Sequence, residues 1–157
     1  MTTRVPMAEL PTLVGRQLGP TAPVLVDQDR IDRFAHCTLD DQWIHVDPVR
    51  AAVGPFGTTI GHGFLTLSLL SHFFGELLAV DDAALAINYG LERVRFPAAV
   101  TSGSLLSATA EVRQVRPETG FTMVTTRVTM RAEGSEKPCC VADCVTRFVA
   151  HPSEAGS

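Results

Sequence analysis

The chemistry-bearing residues of this 157-residue chain gather between Asp40 and Gly63, in the stretch DDQWIHVDPVRAAVGPFGTTIGHG. It holds three aspartates (Asp40, Asp41, Asp47), two histidines (His45, His62), the single tryptophan and four glycines. Asp40 and His45 are a carboxylate and an imidazole five residues apart, types that suit acid–base work when a loop folds both side chains toward one point. Gly61-His62-Gly63 then runs directly into the most apolar segment of the chain, Phe64 to Val80. A polar, Gly-rich loop feeding a buried helix sets free backbone N–H groups and the positive end of the helix dipole beside that loop.

The elements that must position this loop follow from periodicity. Thr21 to Val26 reads as a strand. Asp27 is an N-cap for a helix through about Cys37, with Ile31, Phe34 and Ala35 on one face. Before them, Pro6, Pro11, Gly15, Gly19 and Pro20 allow only a short helix, over Met7 to Val14. Within the loop, Pro48 suits the first position of one helical turn, with Asp47 as its cap. Phe64 to Val80 is apolar almost all round, the pattern of a long helix surrounded by protein. Four strands follow: Ala84 to Phe96, interrupted near Gly90 where a bulge fits, Ser104 to Val112, Phe121 to Ala132, and Cys139 to Ala150. Leu106, Ala108, Ala110 and Val112 share one face, as do Val124, Val128 and Met130. Arg116–Gly120 and Glu133–Glu136 are hairpin connections. One long helix against one face of a curved antiparallel sheet is an α+β layer solution. The chain forms a single domain with its core over about residues 15–150, and residues 151–157 are a frayed tail.

Composition narrows the function classes. The net charge of −4 and the absence of a Lys/Arg cluster argue against nucleic acid. No apolar run is long enough to cross a bilayer, and the N-terminus lacks a signal-peptide core. Cys37, Cys139, Cys140 and Cys144 read as buried free thiols in a reducing compartment, which places the protein in the cytoplasm. Adjacent Cys139 and Cys140 are expected on opposite faces of a strand.

The run Ala35-His36-Cys37-Thr38-Leu39-Asp40-Asp41-Gln42-Trp43-Ile44-His45-Val46-Asp47-Pro48, followed by Phe56-Gly57-Thr58-Thr59-Ile60-Gly61-His62-Gly63, resembles the MaoC-like hydratase/dehydratases, the (R)-specific enoyl-CoA hydratases of the hot-dog fold. Asn88-Tyr89-Gly90 and Val94-Arg95-Phe96-Pro97 are similar to the family as well. Three positions depart from its pattern: Leu39 where Gly is usual, Gln42-Trp43 where Asn-Pro is usual, and Gly61 where Ala is usual.

The resemblance implies a hot-dog fold and reversible hydration of a trans-2-enoyl-CoA, or an acyl-carrier-protein thioester, to the (R)-3-hydroxyacyl thioester. Carried over, Asp40 and His45 activate one water. The Gly63 N–H stabilises charge on the thioester oxygen, the missing Cβ of Gly63 lets the thioester approach, and His62 orients the turn. Ser68 and Asn88 complete the candidate site. Asp41, Asp47, His36 and His72 are structural, and Trp43 is a packing or interface residue. Asp40, His45, Asp47 and His62 are also metal-ligand types, but the implied chemistry requires neither metal nor cofactor, because the thioester itself activates C2 and C3. A homodimer joined sheet edge to sheet edge is expected. The alternatives are a hot-dog thioesterase and a non-catalytic acyl-binding subunit.

Overall fold

The computed structural model describes residues 1–151; the expected frayed tail lies outside them except for His151, which is exposed. Among the described residues, eight strands and five α-helices follow one another in the order β1 (Thr3–Val5), a 3-10 segment (Met7–Leu13), β2 (Gln17–Leu18), β3 (Val24–Val26), α1 (Gln28–Thr38), α2 (Trp43–Val46), α3 (Pro48–Ala52), α4 (Gly63–Ser68), α5 (Leu70–Leu77), β4 (Leu78–Val80), β5 (Ala83–Arg95), β6 (Ser104–Glu118), β7 (Phe121–Ala132) and β8 (Cys140–Ala150). The main sheet is antiparallel in the order β2-β6-β7-β8-β5, with β3 also on β6. β1 and β4 pair separately, in parallel.

The sheet forms because β6 and β7 alternate as the sequence predicts. Leu106, Ala108, Ala110 and Val112 are buried, as are Val124, Val128 and Met130, and this face packs on Leu65, Leu69, Phe73 and Leu77. Burying each large aliphatic or aromatic side chain contributes about 1.5–3 kcal/mol. Strand β6 runs further than expected, through Pro117 to Glu118, so the turn narrows to Thr119-Gly120. A proline is tolerated there because the pair is ending in a hairpin. Strand β5 carries register shifts, one of them between Asn88 and Gly90, where the bulge was expected. Its outer edge pairs with nothing among the described residues.

Two sequence expectations are corrected. The apolar segment is not one continuous helix: it breaks at Leu69 and ends at Leu77, where the chain turns into β4. The hydroxyls of Thr66 and Ser68 donate back to the carbonyls of His62 and Phe64, and this i−4 bonding bends helices. Nor is the segment surrounded by protein, since Phe64, Ser68, Ser71 and His72 are exposed. The cysteines also differ. Cys37 is exposed, while Cys139 and Cys140 are both buried. Cys139 lies just before β8, its N–H and Sγ both donating to Met130 O, so strand alternation has not begun there. Burial pushes the Cys140 and Cys144 thiols up to about 12, which keeps them protonated and inert.

Candidate active site

Helix α1 delivers Asp40. Asp27 caps its start, accepting from the Arg30 N–H, and Ile31 and Ala35 bury its inner face. It ends on Leu39, which takes the left-handed conformation (φ 60°, ψ 25°) and turns the chain. Asp40 follows at the surface, and its backbone carbonyl accepts from His62 Nε2 at 2.9 Å.

His45 sits on the short helix α2 and is 6 % exposed. Its Nδ1 lies 2.6 Å from the carbonyl oxygen of Ile60. A carbonyl only accepts, so Nδ1 carries the proton and Nε2 is left with a lone pair. Burial lowers the His45 pKa below its ordinary 6.5; the Ile60 bond opposes this, His62 adds to it, and Asp40 opposes it weakly. The neutral imidazole therefore has a usable proton-accepting nitrogen.

His62 precedes α4 and is 2 % exposed. Its Nε2–H donates to Asp40 O, and its buried Nδ1 has no hydrogen-bond partner among the described residues. The His45 and His62 rings stack, with centroids 3.8 Å apart and planes 25° apart. One side-chain atom from each of Asp40, His45 and His62 lies within 4.8 Å of the others. Such a cluster could hold a cation. Stacked imidazoles, however, confine their in-plane lone pairs to nearly parallel planes, and convergent lone pairs are what tetrahedral ligation needs.

The start of α4 has no side-chain cap, so its first backbone N–H groups remain available. The space beside Gly63 corrects an expectation. A Cβ there would lie 3.1 Å from the Phe96 ring, so an aromatic side chain occupies the room assigned to the thioester. Phe96 in turn meets Phe64 edge-on, with centroids 6.4 Å apart.

Ser68 and Asn88 are not brought to this cluster. Ser68 Oγ donates to Phe64 O on its own helix. Asn88 Nδ2 donates to Ser71 Oγ and lines a separate, mostly apolar pocket of about 210 Å³ with Leu67, Leu70, Phe74 and Leu91. Asp47 caps α3, accepting from the Arg50 N–H, as a structural residue should. Three residues beside the cluster were given no role by the sequence: Gln28, and Thr59 and Ile60 of the Phe56–Gly63 run. Gln28 reads only as the first residue of a capped helix, yet its amide reaches the His45 carbonyl.

An antiparallel sheet packed on an interrupted helix is the hot-dog architecture. The family described as the MaoC like domain matches residues 9–134, and the chain belongs to that family of hydratases and dehydratases. It is 46 % identical over 151 residues to 3-hydroxyacyl-thioester dehydratase Z of Mycobacterium tuberculosis, covering 96 % of this chain and 100 % of that protein. It is 40 % identical over 151 residues to nodulation protein N of Rhizobium leguminosarum bv. viciae, covering 94 % of each. Among solved structures, the (R)-hydratase of A. caviae involved in PHA biosynthesis matches with a TM-score of 0.67 at 26 % identity, covering 85 % of this chain and 94 % of that one.

Proposed function

We propose that the chain catalyses reversible hydration of a trans-2-enoyl thioester of CoA or acyl-carrier protein to the (R)-3-hydroxyacyl thioester. The observation that carries this reading is the hydrogen bond of His45: Ile60 O holds Nδ1–H, which leaves Nε2 free as a base, and His45 clusters with the Asp40 carboxylate and His62. Asp40 orients a water and His45 Nε2 takes one of its protons. The hydroxide adds to C3 while the double-bond electrons move onto the thioester oxygen. A backbone N–H at the start of α4, that of Gly63, meets the charge growing on that oxygen. Return of the proton to C2 completes the addition, and dehydration runs the same steps backward. The His62 Nε2–H is already spent on Asp40 O, which supports a backbone donor over that ring nitrogen. No step calls for a metal or cofactor.

The protein acts as a homodimer joined through β5. Leu85, Ile87, Tyr89 and Leu91 are exposed along that strand, whose outer edge has no partner among the described residues, an aggregation hazard unless a second copy covers it. Free buried thiols suit the cytoplasm. The test is incubation with crotonyl-CoA: loss of enoyl absorbance supports hydration, release of free thiol supports a thioesterase instead, and binding with neither supports a non-catalytic subunit.

A further inference from the structure

We infer that Gln28 is a positioning residue for the catalytic base, locking the His45 tautomer through a side-chain bridge shared with Thr59. The inference rests on the reading of His45 as that base.

The Gln28 side chain is used at both ends. Its Nε2 donates to the backbone carbonyl of His45 and to Asp32 Oδ1, each at 2.7 Å. Its Oε1 accepts the Thr59 hydroxyl. The amide has one orientation only. Both partners of Nε2 are acceptors, so the nitrogen must face them, and the hydroxyl of Thr59 then meets the oxygen.

The two grips fall on the two halves of the base's support. One is on the backbone of His45 itself. The other is on Thr59, the residue before Ile60, whose carbonyl holds His45 Nδ1 at 2.6 Å. Around them the backbone is sewn together: Ile60 N–H donates to Ile44 O, Ser102 N–H to Thr59 O, and Gly61 N–H to Val100 O. Gln28 is the link from α1 that ties α2 to the 59–61 segment through side-chain atoms. It touches no atom of the Asp40–His45–His62 cluster's reactive ends, so it acts through another residue. Thr59 is 2 % exposed, so losing the amide would leave a buried hydroxyl without its acceptor and the His45 carbonyl without this donor.

The experiment compares Gln28→Leu, Thr59→Val and His45→Gln in the full chain. It measures kcat and KM for crotonyl-CoA hydration, thermal unfolding, and imidazole nitrogen chemical shifts of labelled protein. In the wild type, His45 should show a protonated Nδ1 and a bare Nε2. Gln28→Leu should remain folded, lower kcat by up to about 10²-fold with KM little changed, and move the His45 shifts toward a mixture of tautomers. Thr59→Val, nearly the same shape, should give a smaller loss, and the double variant should lose no more than Gln28→Leu alone, since both break one bridge. If Gln28→Leu proves unable to fold, Thr59→Val carries the test with the same tautomer readout. Unchanged shifts with kcat within about twofold of wild type would overturn the inference, as would a loss confined to KM. Activity retained by His45→Gln would instead overturn the reading of the base, and the tautomer shifts would still report whether Gln28 holds it.

Discussion

Replacing His45 by Gln removes the lone pair at Nε2 while keeping a polar side chain of similar reach. A general base of this kind contributes about 10²–10⁴ in rate, which is ~2.7–5.5 kcal/mol of transition-state stabilisation. The structure also sets a separate cost in stability. Ile60 O would lose the fixed ring N–H it now accepts, and a buried carbonyl that the Gln amide leaves unpaired costs about 1–3 kcal/mol. The variant should therefore unfold at a lower temperature yet stay folded, given a typical margin of about 5–15 kcal/mol. Asp40→Asn provides the contrast. The Asp40 side chain is at the surface, and the bond to His62 runs through its backbone, so stability should change by less than about 0.5 kcal/mol. Its kcat should nevertheless fall by a comparable factor, because both groups act on one water, and the double variant should lose less than the product of the two. The assay is the initial rate of enoyl absorbance loss with crotonyl-CoA, beside thermal unfolding of each variant. Wild-type kcat in either single variant would refute the shared-water argument for that residue.

Gly63→Ala should lower kcat, because the new Cβ lands 3.1 Å from the Phe96 ring and one side must shift; full loss of the donor would cost about 10²–10³. Adding Phe96→Ala should restore part of that rate, and no recovery would return the crowding to the thioester itself. Leu39→Gly should stabilise the protein by up to about 1 kcal/mol, since a left-handed Leu costs roughly 1–2 kcal/mol and the more flexible unfolded chain returns part of it; the check is the urea midpoint at unchanged slope. Burial lowers the folded-state pKa of His45 below 6.5, so between those two values the unfolded state binds more protons and stability falls as the pH drops. Denaturation at about pH 7.5 and about pH 5.5 should show a smaller loss in His45→Gln than in the wild type.

The parts of the fold that were legible in the sequence are those where local signals and burial agree. Asp27 caps α1, β6 and β7 bury alternate residues, and β5 shifts register near Gly90. The break at Leu69 was not legible, because an apolar pattern does not register where the Thr66 and Ser68 hydroxyls bond. Helix α2 was missed for a related reason. No side chain caps it, and four residues are too few to hold a helix by propensity. In the site, spacing singles out Asp40 and His45. Which nitrogen of His45 holds the proton is decided by Ile60, fifteen positions away, and by an amide on another helix. A carbonyl and a glutamine have no motif, so this layer appears only once the chain is folded.

The three departures from the family pattern have separate physical consequences. Leu39 stands where a glycine is usual and carries a positive φ, with its side chain 85 % exposed. The turn before Asp40 is thus kept at a cost, and no packing of Leu39 offsets it. Trp43 begins α2 with its ring stacked under the Arg50 guanidinium at 4.4 Å, and Gly54 leaves the room it needs, since a Cβ there would lie 3.1 Å from the indole. The Trp43 ring therefore braces α2 against α3, in addition to Gln28's hold on the His45 carbonyl. Gly61 is the neutral case. A Cβ would meet its neighbours at 3.6 Å or more, so alanine fits and the backbone bond to Val100 would survive. Two of the departures thus alter how the loop is braced around Asp40 and His45, and none places a new group among the reacting atoms.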